Sequence, residues 1–143
     1  MALTQIATRA VTEKFPKVIK PKAHAVLDYV VAGTLFTLGA FFWKRNKRAA
    51  IGAMACGSVT LATSLLTDYP GGVKPLISFE THGKIDAGMA GLAATMPTFL
   101  AFGDEEEAKY FRGVALAETV ITGMTDFDAY GPKVLQMPKR DLA

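Results

Sequence analysis

A chain of 143 residues, half of them hydrophobic and 20% charged, is long enough for one domain and no more. The net charge is only +3, and the basic residues do not alternate with aromatic residues along one face, so nucleic-acid binding is not predicted. The single cysteine excludes an internal disulfide. The sequence holds no nucleophile–base pattern, phosphate-binding glycine loop or zinc-protease motif, and it therefore predicts a protein that is not an enzyme.

Residues 1–18 lack the compact apolar stretch of a signal peptide. Leu3, Ile6, Ala10 and Val11 instead recur at helical spacing with polar residues between them. This pattern predicts a short amphipathic helix that lies on a membrane surface.

Three later segments, 29–43, 49–67 and 87–102, contain no charged residue and approach the length of about 20 residues that crosses a bilayer. A fourth, 108–127, is interrupted by Glu118. A soluble four-helix bundle would need a polar stripe along each helix, and the first two segments have none. We therefore expect an all-α protein surrounded by lipid, with four transmembrane helices. The expected spans are 21–43, 48–67, 81–102 and 106–126.

The chain aligns with itself, without gaps, at an offset of 58 residues. His24 then matches His82, Asp28 matches Asp86, and the triplet Thr-Asp-Tyr at 67–69 matches Thr-Asp-Phe at 125–127. This alignment predicts two tandem helical hairpins, at 19–76 and 77–130, followed by a tail at 131–143. Because each hairpin crosses the membrane twice, both point the same way about a pseudo-twofold axis along the membrane normal.

Small residues recur every four positions in the apolar segments, and Gly33, Gly57 and Gly91 belong to these series. Small residues allow membrane helices to approach closely. We predict that the three glycines lie where helices of the bundle pack together.

The duplication brings six polar residues to one end of the bundle: His24, Asp28, Asp68, His82, Asp86 and Asp126. Each His-x-x-x-Asp pair shares a helix face, so its members can hydrogen-bond. The other two aspartates follow the second and fourth helices, and we expect them to accept from the N-termini of the first and third helices or from the histidines. The simplest interpretation is a polar belt that holds the helix ends together.

An alternative gives these residues a ligand. His24 and His82, related by the pseudo-twofold axis, could bind a b-type haem or a chlorophyll-type pigment, with the aspartates orienting the imidazoles. A divalent metal could use the same groups, but the spacing matches no specific metal motif, so no metal site is predicted. The cofactor is left open.

Glu118 is an isolated carboxylate in the fourth apolar segment, and its equivalent in the first hairpin is Thr60. An ionisable residue inside a membrane segment is a functional suspect. We expect a hydrogen bond to a threonine of a neighbouring helix or a contact with a partner subunit, and we consider proton relay less favoured.

Several motifs resemble those of the SPW-repeat proteins, a group of small bacterial membrane proteins. They are H-x-x-L-D-Y-x-x-A-G from His24, S-L-L-T-D-Y followed by P-G-G from Ser64, and H-x-x-I-D-x-x-x-A-G from His82. The resemblance covers residues 19–128, although the Ser-Pro-Trp tripeptide is missing. It implies a four-helix protein of the bacterial cytoplasmic membrane and no particular mechanism. The matching positions are His24, Asp28, Gly33, Thr67, Asp68, His82, Asp86, Gly91, Thr125 and Asp126.

Small size, charged loops suited to docking and the lack of catalytic groups favour a structural or accessory subunit that binds other membrane-protein subunits. Haem or pigment binding is the alternative, and transport of a solute or proton past Glu118 is least favoured. Lysines near both termini place these ends in the cytoplasm by the positive-inside rule, although the basic run at 44–48, on the opposite side, weakens this prediction.

Overall fold

The computed structural model describes residues 15–131, and the prediction of an all-α protein is confirmed. The predicted surface helix at 1–18 and the tail at 131–143 lie almost entirely outside these residues. The four helices are α1 (Pro21–Phe42), α2 (Lys47–Leu66), α3 (Phe79–Phe99) and α4 (Ala108–Met124). Two short strands, β1 (Thr67–Asp68) and β2 (Ile77–Ser78), separate α2 from α3, and a 3₁₀ turn (Phe127–Ala129) follows α4.

Local signals start three of the helices. Pro21 begins α1, where the N–H that proline lacks would have no intrahelical partner. The side chain of Asn46 accepts a hydrogen bond from Ala49 N at 3.1 Å, and Ser78 does the same for Thr81 N at 3.2 Å. These caps satisfy backbone donors at the starts of α2 and α3.

The helices pack most extensively as the two hairpins α1–α2 and α3–α4. Small residues allow α1 and α2 to approach closely. Ala49, Ala50 and Ala53 of α2 are fully buried. The main apolar core lies near the α1–α2 and α3–α4 turns and contains Phe42, Phe102 and Phe111 among other residues. A second, largely aromatic cluster closes the opposite end and contains Ala25, Tyr69, Phe79, Phe127 and Tyr130.

The three glycines predicted to mediate packing do not behave alike. Gly57 lies at a helix contact, since a Cβ built there would be 3.1 Å from Leu35 Cβ on α1. Gly33 and Gly91 are exposed, and a Cβ on either would meet no other atom within 4 Å. The prediction is wrong for these two because their helix faces point outward, which a four-residue spacing alone does not reveal.

Two backbone pairings join the hairpins at the helix ends. Thr67 of β1 pairs in parallel with Ile77 of β2, and Thr125 pairs in parallel with Ile19. These partners are themselves equivalent at the offset of 58 residues, as a duplication predicts. The pairings fix Thr67 and Thr125 directly after α2 and α4, next to the opposite hairpin.

The turns at the other end are tied by charge. Arg45 lies 3.8 Å from Glu106, and Arg48 pairs with Glu105. Asn46 donates to Glu107 at 3.3 Å. The charged loops that the sequence predicts to be suited to docking therefore contact each other, and the Arg45 and Arg48 side chains are still about half exposed.

Helices α1 and α2 are long and apolar enough to cross a membrane. At about 1.5 Å per residue, their 22 and 20 residues correspond to about 33 and 30 Å. Helix α3 is more polar in its first half, and α4 has only 17 residues. The arrangement of four spans therefore belongs to the proposals below.

Candidate functional site: a buried histidine–aspartate centre

Four of the six predicted polar residues meet inside the bundle, and we call them the His/Asp centre: His24, Asp28, His82 and Asp86. His24 Nε2 lies 3.3 Å from Asp28 Oδ1 and 3.1 Å from Asp86 Oδ2. His82 Nε2 lies 3.0 Å from Asp28 Oδ2 and 3.1 Å from Asp86 Oδ2. Each histidine therefore contacts the aspartate of its own helix and that of the other hairpin.

The outer nitrogens of the two imidazoles face threonines of the opposite hairpin. His24 Nδ1 is 2.8 Å from Thr125 Oγ1, and His82 Nδ1 is 2.7 Å from Thr67 Oγ1. The sequence analysis did not include these threonines in the polar ring, although both belong to the repeated Thr-Asp-aromatic triplet.

The threonine hydroxyls determine where each imidazole carries a proton. Thr67 Oγ1 donates to Thr63 O and Thr125 Oγ1 donates to Ile121 O, both at 2.6 Å. A hydroxyl has a single proton, so each threonine oxygen must accept from the histidine. The Nδ1 atoms of His24 and His82 are therefore the donors, and their Nε2 atoms point toward the aspartates.

Aromatic rings separate the centre from the nearby end of the bundle. The His24 ring has edge contacts with Phe79 at 5.3 Å and Phe127 at 5.5 Å between ring centroids. Tyr69 packs at 5.3 Å from His82, and its hydroxyl donates to Asp28 Oδ2 at 2.8 Å. Burial, together with the nearby Asp28 carboxylate, raises the pKa of Tyr69, so the phenol keeps the proton that it donates. Both histidines are 0% exposed.

A cavity of about 10 Å³ adjoins the centre on the side away from these rings. Asp28, Asp86, Thr60, Glu118 and Thr122 are among its lining residues. The volume is at the lower limit of what one water molecule requires. Glu118 and Thr60, which are equivalent in the duplication, thus share a small polar space beside the centre.

Burial places Glu118 inside the bundle. The residue is 7% exposed, which does not favour the alternative that it contacts a partner subunit. Its Oε2 has no hydrogen-bond partner in the structure, and neither has Thr60 Oγ1. The expected hydrogen bond between Glu118 and a threonine of a neighbouring helix is therefore not formed through these two atoms.

The other two predicted ring members, Asp126 and Asp68, are not among the four residues of the His/Asp centre. Asp126 is at the surface, where Lys20 Nζ contacts its Oδ2 at 3.0 Å. This hydrogen bond holds the pKa of the Asp126 carboxyl below its usual value. Asp68 is buried. Thr125, which precedes Asp126, contacts His24, and Thr67 contacts His82. Asp126 therefore does not join the predicted ring.

The geometry bears on the haem or pigment alternative as well. Both Nε2 atoms face the two carboxylates, and the adjoining cavity has the size of a water molecule. A porphyrin between the imidazoles would have to displace Asp28 and Asp86. The alternative stays a prediction that this arrangement does not favour.

No family model, curated protein or solved structure matches the chain. The resemblance to the SPW-repeat proteins therefore stays a prediction, and the function must be argued from the structure itself.

Proposed function

We propose that this protein is a non-enzymatic, multi-pass protein of the bacterial cytoplasmic membrane that acts as a structural or accessory subunit of a larger membrane complex. The observation that carries the membrane assignment is an inverted distribution of polarity. His24, His82 and Ser64 are fully buried, whereas Phe99 is 81% and Leu116 is 67% exposed. Lipid is the solvent in which apolar side chains face outward at little cost.

The same distribution extends the proposal to α3 and α4. The turn between α3 and α4 and the first residues of α4 are charged. In the rest of residues 85–124, the charged residues are Asp86 and Glu118. Both side chains face the interior. Lys109 and Arg112 lie in the first turns of α4, where long side chains can extend to the interface and compensate for a short helix.

The centre supports a role in holding the bundle together. Both histidines bind the opposite hairpin through a carboxylate and a threonine. The cavity beside them holds at most one water molecule, which leaves no room there for a solute. A bundle closed in this way fits a structural subunit better than a transporter.

The subunit proposal is tested by native mass spectrometry of the protein purified from its own host membranes in a mild detergent. We expect the chain to carry additional protein mass at a constant ratio. A parallel preparation in a denaturing detergent should release the bare chain, which identifies the added mass as non-covalent. Recovery of only the bare chain from the mild detergent would contradict the subunit role and leave the membrane assignment intact.

A further inference from the structure

Unpartnered polar atoms are concentrated at one place in the described residues. Thr60 Oγ1, His82 Nε2 and Glu118 Oε2 are buried and have no hydrogen-bond partner. All three belong to the His/Asp centre or to the cavity beside it. Buried polar atoms are normally hydrogen-bonded, so a group of exceptions calls for a specific explanation.

The position of His82 Nε2 is informative. Two carboxylate oxygens approach it, at 3.0 and 3.1 Å, but neither is aligned as a hydrogen-bond acceptor. Protons on the two Nε2 atoms could balance the charge of the aspartates, but an N–H on His82 would then lack a well-directed acceptor. The atom is better placed to share a ligand with the carboxylates than to bond to either one.

The spacing of the four groups matches a metal coordination shell. The four His–Asp separations are between 3.0 and 3.3 Å, and one ligand atom from each residue lies within 4.8 Å of the others. Ligand atoms at about 2.0–2.1 Å from a tetrahedral zinc ion are separated by about 3.3 Å. The four His–Asp separations thus match such a site, and the His–His and Asp–Asp separations are no longer than 4.8 Å.

Charge and hydrogen bonding agree with this geometry. His24 Nε2 is hydrogen-bonded to Asp86 Oδ2 at 3.1 Å, and a metal ion would displace the proton that these two atoms share. With protons on Nδ1 only, the imidazoles are then neutral and the two carboxylates carry two negative charges, which one divalent ion would balance. The Nδ1 donors are fixed by Thr67 and Thr125. Metal-binding histidines usually donate their second N–H to such an acceptor, which orients the ring.

We propose that His24, Asp28, His82 and Asp86 bind one divalent first-row transition-metal ion of the zinc class. Two imidazole nitrogens favour this class over calcium and magnesium, which prefer oxygen ligands. The cavity leaves room for one water on the ion, and Glu118 Oε2 and Thr60 Oγ1 line it as hydrogen-bonding partners. The sequence did not predict this metal site because each His-x-x-x-Asp pair supplies only half of its ligands.

The site is tested with the full chain in mild detergent after metal is removed with a chelator. Zinc binding is measured by competition with a chromogenic chelator, and Co²⁺ is used as a spectroscopic probe. We expect one equivalent of Zn²⁺ per chain and the visible absorption of four- or five-coordinate Co²⁺. Asp28→Asn and Asp86→Asn should each weaken binding at least about 100-fold, because each removes a charged ligand while keeping the size of the side chain.

Asp126→Asn is the matched control, since Asp126 lies outside the centre and should leave zinc affinity unchanged. Circular dichroism shows whether each variant keeps its helices. The proposal is overturned if the wild-type chain binds no stoichiometric Zn²⁺, or if the two centre variants bind as well as the control. If those variants do not fold, the wild-type Co²⁺ spectrum decides: absorption identical to that of Co²⁺ in detergent buffer overturns the site. The outcome is independent of the subunit role proposed above.

Discussion

At the scale of single residues, the centre depends on two threonines that relay hydrogen bonds. Each hydroxyl accepts from an imidazole of the opposite hairpin and donates to a carbonyl of its own helix. Because each hydroxyl proton is used by a carbonyl, the Nδ1 atom of each histidine must carry a proton. Each threonine thus connects an imidazole of one hairpin to the helix backbone of the other.

Replacing Thr67 tests this relay. We expect Thr67→Val to lower the free energy of unfolding by about 1–3 kcal/mol, because the buried Nδ1–H of His82 loses its acceptor. The measurement is denaturant-induced unfolding in detergent micelles, followed by circular dichroism. Thr67→Ser keeps the hydroxyl and should retain most of the stability; a serine variant as unstable as the valine variant would show that the methyl group, and not the hydrogen bond, matters.

The sequence predicts which residues reach this end of the bundle, but not which of them meet. His24, Asp28, His82 and Asp86 were expected together because they share helical spacing and a repeat, and the structure joins them. The placement of Asp126 could not be predicted in this way. Thr125 follows α4 with an extended backbone, and its twist decides whether Thr125 or the adjacent Asp126 faces a histidine. The Asp126 carboxylate instead pairs with Lys20 at the surface.

At the scale of helices, Gly57 lies at a close contact between α1 and α2. A Cβ there would lie 3.1 Å from Leu35 Cβ and 3.4 Å from Ala32 O. Backbone atoms cannot move aside as a flexible side chain can, so a large residue at this position must separate the helices.

We expect Gly57→Leu to reduce the free energy of unfolding by about 1–3 kcal/mol through overpacking. Gly33→Leu is the matched control, since the same change on α1 meets open space and improves helix propensity. The same detergent unfolding measurement compares them. Equal stability of the two variants would mean that the hairpin does not pack as described.

The helices themselves follow closely from the sequence. The predicted spans 21–43 and 48–67 correspond to observed helices at 21–42 and 47–66, because uninterrupted apolar runs and flanking turn residues mark both. Helix α3 begins two residues before its predicted span, where Ser78 caps it, and ends at Phe99, shortly after Pro97. Outward-facing glycines such as Gly33 were misplaced since a helix that is apolar on all sides does not show which face is buried.

At the scale of the whole molecule, the hairpin arrangement places alternate loops at opposite ends of the bundle. The loops after α1 and α3 lie at one end, and the loop after α2 and the 3₁₀ turn after α4 lie at the other. The ends of α2 are about 30 Å apart, which matches the hydrocarbon thickness.

Cysteine labelling tests the four proposed spans and their orientation. In a Cys56→Ala background, single cysteines are placed at four exposed positions: Lys44, Lys74, Asp104 and Ala129. With cytoplasmic termini, a membrane-impermeant maleimide should label the variants at positions 44 and 104 in intact cells, and those at 74 and 129 only after permeabilisation. The reverse pattern would make the orientation prediction wrong, and labelling of all four in intact cells would contradict the spans.

The crossed contacts of the His/Asp centre have a consequence for the origin of the chain. Each half contributes one histidine, one aspartate and one threonine, and each histidine contacts the other half's aspartate and threonine. Two identical copies of a single hairpin, associated about a twofold axis, could therefore assemble the same centre as a homodimer. Within one chain the two halves are free to differ, and here they do: Glu118 lines the cavity together with Thr60, and Tyr69 carries a hydroxyl that Phe127 lacks. A single chain thus permits an acidic side and a neutral side around an otherwise symmetric centre.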